Sequence, residues 1–213
     1  MIKAIIFDLD GVLVTTDTLH YAAWKETADR EGIYFDRKIN HRLRGVGRMA
    51  CVDILLERAR RPYSSVEKAA LAQHKNAYYQ RLLEFISPKN ILPGAVSVLE
   101  QLKAAGYRLA VGSSSANAKT ILEKLQLSAY FDAVSDGNNI SHSKPNPEVF
   151  LKAAEMLGVS PAECAVVEDA PAGIEAAKAA GMVAFGMGEA ATYPMTDHSL
   201  TALSGIIPIL QQA

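Results

Sequence analysis

The stretch MIKAIIFDLDGV, Met1–Val12, decides how the rest of the chain is read. Its apolar run Ile5-Ile6-Phe7 breaks off at Asp8-Leu9-Asp10-Gly11. A short continuous apolar run with β-branched residues and no polar alternation reads as a strand buried on both faces. Such a strand lies inside a parallel sheet covered by helices. Open parallel sheets hold their ligands just beyond the carboxyl ends of their strands, which is where Asp8 and Asp10 stand. Side chains two apart on a strand point the same way, and Gly11 lets the backbone turn sharply after them. A single Asp at a strand end is ordinary turn chemistry. Two neighbouring carboxylates repel unless a cation or a shared proton relieves them. Mg²⁺, which favours carboxylate and carbonyl oxygens, would supply that relief.

The chain has 213 residues, 49% hydrophobic and 21% charged, enough for one domain with an insert or two small domains. A formal net charge of −1 excludes a whole-molecule field for nucleic acid or an anionic membrane. The expected partner is a small molecule, and any phosphate must be met by a local cluster. Cys51 and Cys164 lie far apart in no ligand spacing, as in a reduced, cytoplasmic protein. No signal peptide precedes the first strand, and no apolar run approaches a membrane span. The chain is expected to be a monomer.

From Val12 to Thr16 the chain is a linker, with Thr16 and Asp17 as candidate N-caps for a helix that Gly32 ends. His20 on its first turn reads by itself as a surface residue. Asn40 to Pro62 reads as helical, interrupted at Arg44-Gly45-Val46-Gly47-Arg48. That loop suits either close approach to an anion or a solvated helix–helix turn. Ser64 or Ser65 caps a long helix to about Phe85 that contains Lys75. Beyond this helical block the apolar runs alternate with helices. The predicted strands are Tyr107–Val111, Ala129–Val134, Ala165–Val167 and Met182–Phe185, with a short one near His198. The helices are Ala95–Ala105, Asn117–Leu125, Glu148–Leu157 and Pro171–Ala180, with a last one at Ile206–Ile209.

Polar groups gather at the ends of these strands. Asp8 and Asp10 end the first, and Ser113-Ser114-Ser115 ends the second, before a helix N-terminus suited to an oxyanion. Lys144 sits in the stiff turn Lys144-Pro145-Asn146-Pro147. Glu168-Asp169 ends a later strand. Parallel βαβ units carry all of these to one edge. Phosphoryl transfer needs a nucleophile in line, a metal bridging phosphate oxygens, and donors around the equatorial oxygens. A carboxylate nucleophile gives an aspartyl-phosphate.

In this order, DLDGV, a serine after an apolar strand, Lys-Pro and Glu-Asp before a helix, the chain resembles the haloacid dehalogenase superfamily of phosphotransferases over nearly its whole length. The finer likeness is to the β-phosphoglucomutase branch. It rests on FDLDGVLV, Thr16, LHYAAWK, RGVGR, HKNAYY, GSSSAN and HSKPNPEVF. The resemblance implies an α/β fold: a Rossmann-like, doubly wound parallel sheet core, 1–15 and 88–213, with an inserted four-helix cap, 16–87. It implies Asp8 as nucleophile and Asp10 as general acid and base whose backbone carbonyl also binds Mg²⁺. Glu168 and Asp169 would complete the metal site. Ser113, Lys144 and the Ser114 N–H would hold the transferring phosphoryl group.

Arg48 would grip a second phosphate, lined also by Ser115 and Asn117. Thr16, Arg44, His20 and Lys75 belong to the implied substrate-binding set, the last two orienting substrate or coupling cap closure to Asp10. Trp24 packs the cap, with its N–H in reach of a sugar. The implied activity interconverts β-D-glucose 1-phosphate and glucose 6-phosphate through glucose 1,6-bisphosphate. The alternative is a Mg²⁺-dependent sugar-phosphate phosphatase of the same superfamily. Two positions depart from the branch: Thr15, where Asp is frequent, and Arg44, where Lys is frequent, so the sugar is less closely fixed than the reaction class.

Overall fold

The computed structural model describes residues 1–212. Strand β1 (Ala4–Phe7) is buried along its whole length, as its unbroken apolar sequence requires. Helices α1 (Asp17–Arg30), α2 (Arg37–His41), α3 (Arg48–Leu56) and α4 (Ser65–Leu83) follow it. The chain then alternates: α5 (Ala95–Ala104), β2 (Arg108–Gly112), α6 (Ala118–Lys124), β3 (Ala133–Ser135) and α7 (Glu148–Leu157). It continues through β4 (Cys164–Glu168), α8 (Pro171–Ala179), β5 (Val183–Gly186), β6 (His198–Ser199) and α9 (Ile206–Leu210). The strands form one parallel sheet in the order β3-β2-β1-β4-β5-β6, with β1 in the interior. No helix is long and apolar enough to cross a membrane.

Alternate residues of each central strand feed opposite layers, the period-two rule made visible. Ile5, Phe7, Leu109, Val111, Ala165 and Val167 pack with residues of α5, α6 and α9. Ala4, Ile6, Ala110, Val166 and Ala184 pack with residues of α7 and α8. Helices on both faces make the sheet doubly wound. The inserted helices have an apolar centre of their own around Trp24, Ile39, Val52, Leu55 and Leu71. Ser64 begins α4 with a reciprocal cap: its hydroxyl accepts the Glu67 N–H, and the Glu67 carboxylate accepts the Ser64 N–H at 2.8 Å. Asp36, not expected as a cap, starts α2 by accepting the Ile39 N–H at 2.8 Å.

The helical insert leaves and rejoins the sheet domain at one place. Val14 pairs antiparallel with Ile91. The Leu92 N–H donates to the Leu13 carbonyl at 2.9 Å, and the Thr15 N–H to that of Asn90 at 3.3 Å.

Two expected elements shift. The segment Ala129–Val134 is not strand throughout. Residues Ser128–Tyr130 form a 3₁₀ turn, and β3 begins at Ala133. Asp132 sets that start: its carboxylate accepts the Leu109 N–H at 2.8 Å, and its own N–H donates to the Leu109 carbonyl. Thr16 stands at the N-cap of α1, yet its side chain does not cap the helix. The hydroxyl goes to Asp10 instead.

Candidate active site

Strand register brings the polar groups together. Phe7 pairs with Val111 on one side and Val167 on the other. The next residue on each strand therefore stands level: Asp8, Gly112 and Glu168. Ser113 and Asp169 follow one step beyond. Gly112 is small for a reason, since a Cβ there would meet the Phe150 ring at 2.7 Å.

Asp8, Glu168 and Asp169 offer carboxylate oxygens within 4.8 Å of one another. Lys144 lies among them, fully buried, donating to Asp8 Oδ1 at 2.5 Å and to Glu168 Oε1. The Lys144–Pro145 peptide bond is cis. Burial works against the Lys144 ammonium, but Asp8 and Glu168 outweigh it and hold its pKa above the usual lysine range. Asp8 is pushed well above the carboxylate range by burial, with Glu168 and Asp169 adding to the rise against Lys144. Asp169 is raised to about 7 by burial and by repulsion from Glu168 and Asp10.

Three carboxylates therefore face one ammonium. When all three are ionised the surplus is two negative charges, the donors are all hard oxygens, and a divalent cation of the Mg²⁺ type fits that set. Glu168 is the most committed of the three. Its Oε2 accepts the N–H groups of Asp169 and Ala170 at 2.9 and 3.0 Å, while Oε1 accepts Lys144. Among the described residues no donor reaches the Asp169 carboxylate, so it is the acid freest to meet an ion. Gly11 makes room for it: φ is +82°, and a Cβ there would lie 2.1 Å from Asp169 Oδ2. Gly11→Ala should therefore displace Asp169 and lower stability by ~1–3 kcal/mol. Thermal melts with and without Mg²⁺ check both effects, since the variant should lose most of its Mg²⁺-dependent rise.

Asp10 stands outside the acidic cluster. Its Oδ1 accepts the Thr16 N–H at 2.9 Å and the Thr16 hydroxyl, and its Oδ2 lies 3.5 Å from His20 Nε2. Burial pushes Asp10 up, but the bonds from His20 and Thr16 outweigh it and hold Asp10 below the usual range. Tyr79, fully buried, donates to Thr16 Oγ1 at 3.0 Å. Lys75 Nζ lies 2.9 Å from His20 Nδ1, so while Lys75 is charged, His20 presents Nε2–H to Asp10. A continuous path thus runs from Lys75 through His20, Asp10 and Thr16 to Tyr79.

One cavity of about 250 Å³ lies between the sheet edge and the inserted helices; Glu168, Lys144, Thr16 and Tyr79 stand behind its wall. Asp8, Asp10, Ser113 and Asp169 lie on its floor side; His20, Trp24, Arg44, Arg48, Lys75 and Cys51 come from the insert. Lys75 lies over the faces of Trp24 and Tyr79, at 5.0 and 4.5 Å from the ring centroids. Burial first, and then Arg48, depress Lys75 to about 7. Among the described residues Arg48 has no carboxylate within salt-bridge reach. Arg44, by contrast, is paired with Asp17 at 3.2 Å. Cys51 is a bystander, its thiol raised to about 12 by burial.

The three serines divide the work. Ser113 Oγ accepts the Ser115 N–H, and Ser115 Oγ accepts the Asn117 N–H, each at 3.2 Å. The Ser113 hydroxyl proton stays available to the cavity. Ser114 Oγ instead donates to the Gly45 carbonyl of the insert at 3.1 Å. Asn117 lines the cavity, but its amide is spent on α4: it donates to Asn76 at 2.9 Å and accepts from Gln80 at 3.2 Å. Sequence reasoning did not single out Tyr79, Asn76 or Ser143, whose roles depend on how the insert sits on the sheet. HKNAYY held two of them without saying which way they face.

A family model described as haloacid dehalogenase-like hydrolase matches residues 2–181. The chain is 44% identical over 189 residues to the β-phosphoglucomutase of Bacillus subtilis, covering 88% of this chain and 84% of that one. It is 36% identical over 181 residues to the fructose-1-phosphate phosphatase of Escherichia coli, covering 84% and 92%. A crystal structure of β-phosphoglucomutase from Clostridium difficile superposes with a TM-score of 0.94 at 36% identity, covering 100% of this chain and 96% of that one. The acidic strand tips, the buried lysine and the helical cap stand within the matched residues, and the chain belongs to the haloacid dehalogenase-like hydrolases.

Proposed function

We propose that this chain is a Mg²⁺-dependent β-phosphoglucomutase, with residues 16–87 as the cap over a core of 1–15 and 88–213. One observation carries the reading. Arg48, a cation with no carboxylate partner among the described residues, shares one cavity with Asp8 and stands on the cap side beside Lys75. A site that grips two phosphates at once suits a bisphosphate that turns around between two half-reactions. The kinship with the B. subtilis mutase supports it. The E. coli relative supports the alternative, a sugar-phosphate phosphatase on the same residues.

Asp8 attacks phosphorus with Oδ2, because Oδ1 is held by Lys144. Lys144 and the Ser113 hydroxyl take up charge on the equatorial oxygens. Asp8, Asp169, Glu168 and the Asp10 backbone carbonyl would hold a Mg²⁺, which would offset their repulsion and supply positive charge for the phosphoryl group. Asp10 is ionised at rest and so accepts the proton of the sugar hydroxyl that attacks phospho-Asp8. In the reverse half-reaction it returns that proton to the leaving oxygen. His20 and Thr16 hold the carboxylate where this exchange happens. The cap keeps water from phospho-Asp8 until a sugar phosphate fills the cavity.

The deciding experiment feeds β-glucose 1-phosphate and a glucose 1,6-bisphosphate primer to the enzyme. Glucose 6-phosphate and inorganic phosphate are followed together. Isomer in excess of phosphate supports the mutase; phosphate without isomer establishes the phosphatase.

Lys75 gives a pH prediction. Its pKa of about 7 in the empty cavity rises when a phosphate dianion sits beside it, so binding takes up a proton above that pH. The sugar phosphate is already dianionic there, and His20, whose pKa is depressed, is already neutral. Sugar-phosphate affinity should therefore fall by up to about tenfold per pH unit above neutrality. Lys75→Met should bind weakly and with a flat profile over the same range.

A further inference from the structure

The cap loop that carries Arg48 touches the core at three points, and each lies next to a residue of the phosphoryl site. The Gly45 carbonyl accepts the hydroxyl of Ser114, next to Ser113. A Cβ on Gly45 would lie 3.4 Å from Ala170, next to Asp169. The Gly47 N–H donates to Ser143 Oγ at 3.1 Å, and Ser143 is next to Lys144. Gly47 is in turn the N-cap of α3, whose first residue is Arg48. The third contact is the tightest. A Cβ on Gly47 would lie 2.3 Å from Ser143 Oγ and 2.7 Å from its Cβ. No larger residue fits there unless the loop or Ser143 moves.

We propose that the Gly47–Ser143 contact is a specificity determinant: it converts the grip of Arg48 on the far phosphate of a substrate into seating of the cap loop beside Lys144. This rests on the phosphoryl-transfer reading above, and holds for a mutase or a phosphatase alike. A substrate with no group for Arg48 gains nothing from the seat. A sugar phosphate reaches full reactivity only when the loop is docked, so its remote binding energy is expressed at the reacting end. Ser143 and Gly47 line no part of the cavity themselves, and act as positioning residues.

The test compares kcat/KM for β-glucose 1-phosphate, followed by total product, with that for p-nitrophenyl phosphate. Gly47→Ala should lower the sugar-phosphate value by at least about tenfold and the p-nitrophenyl value by no more than about twofold. Ser143→Gly removes both atoms that an alanine at 47 would strike. On its own it should cost about three- to tenfold on the sugar phosphate. The Gly47→Ala/Ser143→Gly double variant should be no worse than Ser143→Gly alone, a strongly non-additive pair. Ser143→Ala, which keeps the Cβ and loses only the hydroxyl, serves if Gly47→Ala fails to fold, and should show the same substrate-selective loss. Additive losses in the pair, or equal losses on both substrates, would overturn the inference. A wild-type enzyme that releases phosphate without making glucose 6-phosphate would sink the mutase reading while leaving the selectivity ratio fully readable.

Discussion

Asp8→Asn should stop phosphoryl transfer, with kcat down by at least about 10⁴-fold, while the protein melts no lower than the wild type. The other carboxylates are placed for different work. Glu168 is held by Lys144 and two backbone N–H groups, Asp10 by Thr16 and His20, and Asp169 is the one left open to the ion. The stability half follows from the sign of the Asp8 shift. Its pKa is raised on folding, so the stabilisation tied to its protonated form is present below the ordinary Asp range and is lost as pH rises through the raised value. Once ionised, Asp8 works against folding, and an amide of the same shape relieves that repulsion. Lys144 keeps Glu168 as its partner. Acid-quench trapping of labelled phosphoenzyme, together with a melt in metal-free buffer, checks both halves. A variant that still traps label would show that the nucleophile lies elsewhere.

Arg48→Ala should lower isomerisation by about 10²–10³-fold and leave hydrolysis of a small phosphate ester nearly unchanged. The guanidinium gives up no carboxylate partner when it is removed, so its loss leaves no orphaned charge in the protein. Steady-state kinetics on the two substrates measure the split. An equal fall in both would place Arg48 in the reacting half of the site and end the case for a second phosphate grip. Arg44→Ala should do less, because that guanidinium is already occupied by Asp17.

The core half of the site was legible in the sequence because each residue there follows directly from a local signal. An apolar run that stops at an acid fixes both the strand and the place of its last side chain. Asp8, Glu168 and Ser113 share one edge once the strands are parallel, whatever the loops do. The insert was legible only as four helices and a basic loop. Which of its residues face the sheet depends on packing across long separations in the chain. Tyr79 reaches Thr16, and Gly47 meets Ser143, by tertiary placement alone. Thr16 shows the limit most plainly: a hydroxyl at a helix start reads as a cap, and the nearby half-buried Asp10 carboxylate outbid the helix for it. Arg44 reads like Arg48 in sequence, and only the neighbouring Asp17 separates a neutralised cation from an open one.

The side-by-side crossing of Val14 and Ile91 has a consequence for what can happen to the insert as a whole. Two chain segments tied to each other by backbone bonds behave as a short stiff leaf, so the block above can swing about a single line and resists sliding or twisting. The same adjacency means the ends left by excising the block lie close enough for a tight loop to join them. The sheet's apolar layer would lose only what the insert packs into it, Ala23, Tyr79, Leu83 and Ile86. The one crossing is thus the place where chain can be added, trimmed or exchanged above the site while the strand tips below keep their register.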